Sequence, residues 1–182
     1  TLGFVPILAY DRELSFPALI GRADNALGLG RAIQRIYLNP EKPKKAPVQP
    51  NKVTLGANKG CAVRLGGVAE TIAVCEGIET GLAVAALTNF TMPVWACLGT
   101  SGLMGIDVPV EVTRVEIYPD GDRPFRKKGS DYIPSEPAGL VAACALRDRL
   151  LAQGVYVVMN PPPPAGSDYL DALKAMRELE HA

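Results

Sequence analysis

From residue 70 onward, short apolar runs alternate with helix-like segments, and this alternation constrains the fold more than any other feature of the chain. The sequence predicts strands at residues 71–75, 94–98, 112–118 and 155–159 and helices at residues 79–88, 137–153 and 168–180. Short runs rich in Val and Ile are typical of strands buried on both faces. Strands that alternate with helices favour a parallel sheet covered by helices, which is an α/β fold.

Residues 1–68 follow a different pattern. Strand-like segments at 16–22 and 31–38 are separated by turn residues at Asp24 and Asn25, and Asn39-Pro40 ends the second segment. Residues 41–47 contain two prolines and three lysines, which predicts an exposed basic loop. We therefore predict two domains: a smaller β-rich lobe with a basic groove at 1–68, and the α/β domain at 69–182. A chain of 182 residues is long enough for one domain and a smaller companion.

The charge balance limits how the chain can bind polyanions. Lys+Arg and Asp+Glu both total 19, so any contact with nucleic acid must come from a local basic surface. The four cysteines form no Cys-x-x-Cys pair, which argues against a zinc ribbon in this segment. Their apolar neighbours predict buried thiols in a reducing cytoplasm.

No signal for a membrane or for secretion occurs in the sequence. The longest apolar runs fall well short of the roughly 18 residues of a membrane helix, and no signal peptide opens the chain. We therefore expect a cytoplasmic protein without a membrane partner. The chain begins with Thr1 and not with Met, which suggests a piece of a longer protein.

Carboxylates follow three of the predicted strands. Glu76 follows the first, Asp120 and Asp122 follow the third, and Asp168 and Asp171 come after the fourth. The carboxyl ends of parallel strands meet at one edge of a sheet, where ligands bind. Clustered carboxylates repel one another and generally bind a hard divalent cation, so the pattern predicts a Mg²⁺ or Mn²⁺ site. Any one of these acids could instead be a solvated cap, as Asp168 would be at the start of the last helix.

Two glycines stand beside the acids. In an extended Asp-x-Asp the two side chains point the same way, and Gly121 between them is expected to leave room for metal, water or phosphate. Gly77 is expected to let the backbone approach a phosphate at the start of a helix.

These motifs resemble the Toprim domain shared by bacterial DnaG-type primases, topoisomerases and OLD-type nucleases. The resemblance rests on Glu76-Gly77, on Asp120-Gly121-Asp122 and on the late Gly-x-Asp-x-x-Asp that ends at Asp171. Two segments are similar to the Toprim modules of phage- and plasmid-borne primases and primase-helicases. They are Cys-Glu-Gly-Ile-Glu-Thr at 75–80 and Pro-Val-Trp-Ala-Cys-Leu-Gly-Thr-Ser-Gly-Leu at 93–103. The resemblance covers residues 70–173 well and residues 17–65 more weakly. It implies a Rossmann-like Toprim sheet after a smaller β-rich lobe.

The resemblance also implies roles for the acids. Glu76 would act as acid/base or metal ligand, Asp120 and Asp122 would hold Mg²⁺, and Asp168 and Asp171 would form the last acidic pair. Many relatives have Asn just before the second acid of that pair, where Leu170 stands here. A further departure is the long insert at 123–137, which we expect to form a loop over the site.

Basic residues are expected to contact nucleic acid and nucleotide. The candidates are Arg35, Lys44, Lys45, Arg64, Lys127 and Lys128. An ordinary solvated surface is the alternative for each of them, especially for the charge run at 126–128. Trp95 and Tyr118 are expected to lie in the core. The segment contains no Gly-x-x-x-x-Gly-Lys-Ser/Thr sequence, so no P-loop motor is expected in it.

The first hypothesis for function is a primase catalytic core that makes short RNA primers by metal-dependent nucleotidyl transfer. Its partners would be single-stranded DNA, nucleoside triphosphates and a replicative helicase domain or protein, in a phage, plasmid or other mobile element. A Toprim nuclease and a non-catalytic nucleic-acid-binding module are the alternatives. A β-rich lobe whose basic groove faces the acids would favour the primase.

Overall fold

The computed structural model describes residues 2–129 and 131–180, and of Arg126 and Lys127 the backbone alone. The strands in these ranges are β1 (Leu2–Ala9), β2 (Ser15–Asp24), β3 (Gly30–Tyr37), β4 (Lys52–Gly56), β5 (Ala62–Leu65), β6 (Thr71–Cys75), β7 (Val94–Ala96), β8 (Arg114–Tyr118), β9 (Phe125–Lys128), β10 (Asp131–Pro134) and β11 (Tyr156–Met159). The helices are α1 (Ile78–Leu87), α2 (Thr100–Gly105), α3 (Ala138–Ala152) and α4 (Tyr169–Glu180).

Nine of these strands form one mixed sheet. Its order is β11-β8-β6-β7-β5-β2-β3-β4, and β1 pairs with β2 beside this path. The four strands from β11 to β7 are parallel, whereas β7–β5 and the pairs from β5 to β4 are antiparallel. The predicted parallel sheet with flanking helices, preceded by a β-rich lobe, is therefore confirmed.

The sheet continues across the predicted domain boundary at 68/69. Strand β5 pairs with β2 on one side and with β7 on the other, so it hydrogen-bonds to strands from both segments. The division of the chain into two domains at this point stays a prediction.

The central parallel strands β6 and β7 are buried on both faces, as their apolar sequences predict. Within β6, Ala73 and Cys75 pack in the core cluster that contains residues of α1 and α4, while Ile72 and Val74 pack in the cluster with α2 and α3. Trp95 is fully buried, and its indole N–H donates to the carbonyl of Gly67 at 2.8 Å. Two helices thus cover each face, and the core fixes the ends of the strands.

Some elements were not predicted, among them β1 and a hairpin in the insert. Strand β1 was not predicted because its side chains do not alternate: both Phe4 and Ile7 are exposed at the edge of the sheet. The insert at 123–137, expected as a loop, contains a two-stranded hairpin of β9 and β10. Its register is stabilised by an edge-to-face contact between Phe125 and Tyr132, whose ring centroids lie 5.1 Å apart. No helix in residues 2–129 and 131–180 is long and apolar enough to cross a bilayer.

Candidate metal centre

The order of the parallel strands brings the predicted acids to one edge of the sheet. Strand β8 lies between β6 and β11, with Cys75 beside Tyr118 at the carboxyl ends. Glu76 follows β6 at once, and Asp120 lies two residues beyond β8. The segment after β11 returns to this edge through an antiparallel bridge between Gly121 and Ser167. Residues far apart in the chain therefore meet because their strands are neighbours.

The electrostatics of this edge indicate crowded negative charge. Burial, as the largest cause, and the charges of Asp120 and Asp122 together raise the pKa of Glu76 to about 7, against a smaller opposing effect of Lys52. The pKa of Asp120 is also raised, mainly by burial and in part by Asp168 and Asp122. A cation bound here would remove this repulsion.

Two of the carboxylates are held by hydrogen bonds. The buried Thr80 on α1 donates its hydroxyl to Asp120 Oδ1 at 3.1 Å. Asp122 Oδ2 accepts from the backbone N–H of Gly139 at 2.6 Å, in the first turn of α3. Backbone N–H groups at a helix start carry partial positive charge and favour an anion. Both acids are thereby fixed at the sheet edge before any ligand binds.

Asp168 and Asp171 form a reciprocal cap at the start of α4. Asp171 N–H donates to Asp168 Oδ1 at 3.0 Å, and Asp168 N–H donates to Asp171 Oδ2 at 3.4 Å. Asp171 also pairs with Lys174 at 3.3 Å. Such an exchange between the cap and the third helical residue satisfies two backbone donors. The structure brings Asp168 to the cavity described below but not Asp171, whose role as a metal ligand stays a prediction.

The donor set fits a hard divalent cation by its chemistry. Glu76, Asp120, Asp122 and Asp168 offer oxygen ligands alone, which suits Mg²⁺ or Mn²⁺. In the described residues, no three Asp, Glu, His or Cys side chains converge closely enough to form a coordination sphere. The evidence that these residues would hold a divalent cation is therefore their oxygen ligands, their common position at the sheet edge and the mutual repulsion of their charges.

A cavity of about 830 Å³ opens beside these acids. Glu76, Asp120 and Asp168 form an acidic wall of the cavity, and the basic loop of the N-terminal lobe forms another wall. The lysines that line the cavity are Lys42, Lys44, Lys45, Lys52 and Lys174. Carboxylates and lysines therefore line the same space.

Glu79 was not among the predicted site residues, yet it connects the two walls. Its carboxylate pairs with Lys45 at 3.0 Å and with Lys52 at 2.9 Å. Burial raises the pKa of Glu79, but its bonds to Lys52 and Lys45 lower that pKa by more, so the net pKa lies below the ordinary value. In the sequence, the sole signal was its position in the first turn of the helix after Glu76.

We expect Glu79→Gln to lower the free energy of unfolding by about 1 kcal/mol at pH 7, because the two ion pairs are lost while both lysines are more than a third exposed and screened. A carboxyl with a lowered folded pKa stabilises the protein above its unfolded pKa, near 4.5, and this stability is lost as the pH falls through the folded value. Urea unfolding of both proteins from pH 7 to pH 3 measures the difference, which should shrink below pH 4.5. Glu178→Gln, at an exposed position on α4, is the control. A difference that stays constant down to pH 3 would contradict the ion-pair explanation.

Leu98 and Gly99 form a strained turn at the cavity that the sequence did not indicate. Leu98 has φ 63° and Gly99 has φ 124°, and both line the cavity. A left-handed conformation costs a residue such as leucine about 1–2 kcal/mol. Gly99 N–H donates to the carbonyl of Glu76 at 3.1 Å, so this turn fixes the backbone of the first acid.

The structure requires glycine at position 121 for a different reason from the one predicted. A Cβ at this position would lie 2.4 Å from the carbonyl oxygen of Pro163, 2.6 Å from that of Pro164 and 2.8 Å from that of Ser167. Its Cα therefore faces the returning loop after β11. The glycine permits that close backbone approach, which positions Asp168.

The predicted basic residues are dispersed. Lys44 and Lys45 line the cavity. Arg35 lies in β3 between Gln34 and Ile36, which both line the cavity, so strand alternation puts Arg35 on the other face of the sheet.

Arg64 lies away from the acids. Its guanidinium sits 4.1 Å over the Trp95 ring and donates to the carbonyl of Asn25. Lys128 is on the β9–β10 hairpin, and the side chain of Lys127 lies outside the described residues. The nucleic-acid-binding roles of these residues stay predictions.

Two protein families match the chain. The Toprim domain family matches residues 71–177, and a family described as a domain of unknown function (DUF7146) matches residues 1–65. No curated protein sequence matches the chain.

Solved primase structures share the fold. The Aquifex aeolicus primase, with its zinc-binding and RNA polymerase domains, is 15% identical over 97% of this chain and 43% of that chain, with a TM-score of 0.51. The primase fragment of the bacteriophage T7 primase-helicase protein is 17% identical over 96% of this chain and 64% of its own, with a TM-score of 0.50. A DnaG primase catalytic domain bound to ssDNA is 16% identical over 97% of this chain and 56% of its own, with a TM-score of 0.52.

The chain thus spans roughly half of the length of these primase structures. At such low identity the structures establish the fold alone. The family match, by contrast, covers more than half of the chain and includes Glu76, Asp120, Asp122 and Asp168. The chain belongs to the Toprim domain family.

Proposed function

We propose that this chain is the catalytic core of a DnaG-type primase, which joins nucleoside triphosphates into short RNA primers on single-stranded DNA. The observation that carries the proposal is the cavity in which Glu76, Asp120 and Asp168 line the same space as the lysines of the N-terminal lobe. A nucleotide-joining site needs negative ligands for cations and positive groups for phosphates in one space. The alternative nuclease has no need of the second lobe.

The residues on the two walls of the cavity would have different roles, one in metal binding and the other in phosphate binding. Glu76, Asp120, Asp122 and Asp168 would hold Mg²⁺ or Mn²⁺, which neutralises charge that develops on phosphoryl oxygens during transfer. Lys44, Lys45 and Lys52 would bind the phosphates of the incoming nucleotide from the other wall. Glu79 would keep Lys45 and Lys52 in place until the nucleotide arrives. Thr80 and the N-terminus of α3 would orient Asp120 and Asp122.

The solved neighbours support the partners of this reaction by analogy. One neighbour is a DnaG primase domain bound to ssDNA, and another comes from a primase-helicase protein. We propose that single-stranded DNA is the template here and that a replicative helicase, in the same protein or a separate one, is the partner. We propose that the protein is encoded by a phage, plasmid or other mobile element, because residues 75–80 and 93–103 resemble the primases of such elements.

The test is primer synthesis from labelled nucleoside triphosphates on single-stranded DNA, with Mg²⁺ or Mn²⁺, by the wild-type chain and by Glu76→Gln. We expect oligonucleotide products that require metal and that fall at least about 100-fold in Glu76→Gln, since an amide can neither exchange a proton nor bind a cation as a carboxylate does. Glu178→Gln is the control, because it removes a carboxylate charge at an exposed position outside the candidate metal centre. Metal-dependent cleavage of the template without synthesis would establish the nuclease instead. Template binding with neither reaction would establish a non-catalytic module.

A further inference from the structure

The β9–β10 hairpin has no role in the chemistry proposed above. It begins directly after Asp122 and ends just before α3. Strand β9 pairs with β10 from Lys128 and Asp131 at the turn to Phe125 and Pro134 at the base. Ser135 N–H donates to the carbonyl of Pro124 at 3.0 Å and closes that base.

The hairpin is tied to the candidate metal centre at both ends. Asp122, which precedes it, accepts a hydrogen bond from Gly139 N–H, which follows it, at 2.6 Å. Arg123 lies against Gly166 in the loop that leads to Asp168. A ligand held by the hairpin is therefore held next to the acids.

The hairpin carries an exposed aromatic surface. Tyr132 is 66% exposed although its ring meets Phe125 edge to face. The guanidinium of Arg123 lies 5.8 Å from the Phe125 ring and supports it from the base. The edge-to-face contact leaves most of the Tyr132 ring open to solvent.

The charge of the insert suits a polyanion. Residues 123–134 contain four basic residues and one acidic residue, within a chain whose total charge is zero. Exposed aromatic rings beside positive charge are the means by which proteins bind single-stranded nucleic acid, because every base has a face that stacks and every nucleotide has a phosphate.

We propose that the β9–β10 hairpin is a binding site for single-stranded nucleic acid, in which a base stacks on Tyr132 and the adjoining phosphate lies against Arg123, whose guanidinium is beside the Phe125 ring on the same face of the hairpin. The site would hold the strand beside the metal centre, and in that respect it rests on the proposed function. A base is favoured over a peptide side chain as the stacking partner because the net charge of residues 123–134 is positive, which suits the phosphates of a nucleic acid.

The test measures binding of a fluorescein-labelled oligo-dT to the full chain by anisotropy, without nucleoside triphosphates. We expect Tyr132→Leu to weaken binding about tenfold, Tyr132→Phe to restore it to within about twofold of wild type, and Arg123→Ala to lower its salt dependence. Tyr156→Leu is the matched control: Tyr156 is 59% exposed but lies at the start of β11, at the opposite edge of the sheet from the acids. It should bind as wild type does.

A direct readout of stacking separates a base contact from a folding defect. Trp95 is fully buried, so Tyr132→Trp introduces an exposed indole whose fluorescence should be quenched by oligo-dT, while Tyr156→Trp should not respond. Equal binding by wild type and Tyr132→Leu, no quenching of Tyr132→Trp, or no binding by wild type would each overturn the proposal.

Primer synthesis in parallel keeps the two proposals distinct. Synthesis by wild type with unchanged binding in Tyr132→Leu would refute the hairpin site and leave the primase in place. Binding that depends on Tyr132 in a chain that makes no primers would support the hairpin site and refute the primase.

Discussion

Asp120→Asn is expected to reduce metal-dependent primer synthesis at least about 100-fold while leaving the fold intact. Asp120 lies between Glu76 and Asp168 at the sheet edge and is the carboxylate that Thr80 orients. Asparagine has the same shape and can still accept the bond from Thr80, but it removes the negative charge that a divalent cation needs. Binding of Mn²⁺, followed by electron paramagnetic resonance, should weaken at least about tenfold in the same variant.

The same substitution should raise the melting temperature of the metal-free protein. Burial and neighbouring carboxylates both disfavour the charged form of Asp120, so its removal relieves repulsion at pH 7. Asp148→Asn, on the exposed face of α3, is the control and should change neither synthesis nor metal binding. Unchanged synthesis in Asp120→Asn would refute the candidate metal centre. A lowered melting temperature would mean instead that Asp120 has a structural role.

Gly121→Ala is expected to lower the free energy of unfolding by about 2–3 kcal/mol, which is a large share of the stability of a small domain. The added Cβ would lie within 2.8 Å of three backbone oxygens, those of Pro163, Pro164 and Ser167. These atoms belong to a loop that is pinned to Gly121 by the N–H of Gly121 donating to Ser167 O at 3.1 Å, so they cannot move without breaking the bridge. Urea unfolding measures the loss.

The displaced loop would also carry Asp168 away from Asp120, so we expect synthesis to fall more than the loss of folded protein explains. Gly3→Ala is the matched control, because a Cβ at Gly3 in β1 meets no atom within 4 Å. Amide hydrogen exchange at Gly121 should become faster in Gly121→Ala. A stability equal to that of Gly3→Ala would contradict the close approach seen in this structure.

The parallel half of the sheet could be predicted from the sequence because its signals are local. Residues 71–75 and 94–98 are apolar except for Thr71, and such runs become strands buried on both faces, as β6 and β7 are. Residues 112–118 alternate in part, and their apolar Val115 and Ile117 are buried side chains of β8. The acids at their ends then had to share an edge once the strands were parallel neighbours. Strand β1 and the β9–β10 hairpin carry no such pattern, because edge strands and exposed hairpins do not bury one whole face.

The site was predicted in part. The acids were found because Glu76-Gly77 and Asp120-Gly121-Asp122 follow strands directly. Glu79 and its ion pair with Lys52 were missed, since a pair between residues 27 positions apart leaves no trace in either local sequence. The local sequence also could not show that Lys45 lines the cavity and that Arg35 does not. Both are basic residues of the N-terminal segment, and the geometry of the strand and of the loop decided which one reached the cavity.

The amino-acid sequence by itself determined the α/β class of residues 70–182, the β-rich character of the segment before them, and the identity of four acids at strand ends. These properties follow from the hydrophobic period and from turn chemistry, which act over a few residues. The tertiary structure alone decided that β5 joins the two segments in one sheet, that Glu79 pairs with two lysines, and that Asp171 turns to its own helix. Each of these depends on which surfaces pack together, and packing between distant segments is a property of the whole chain.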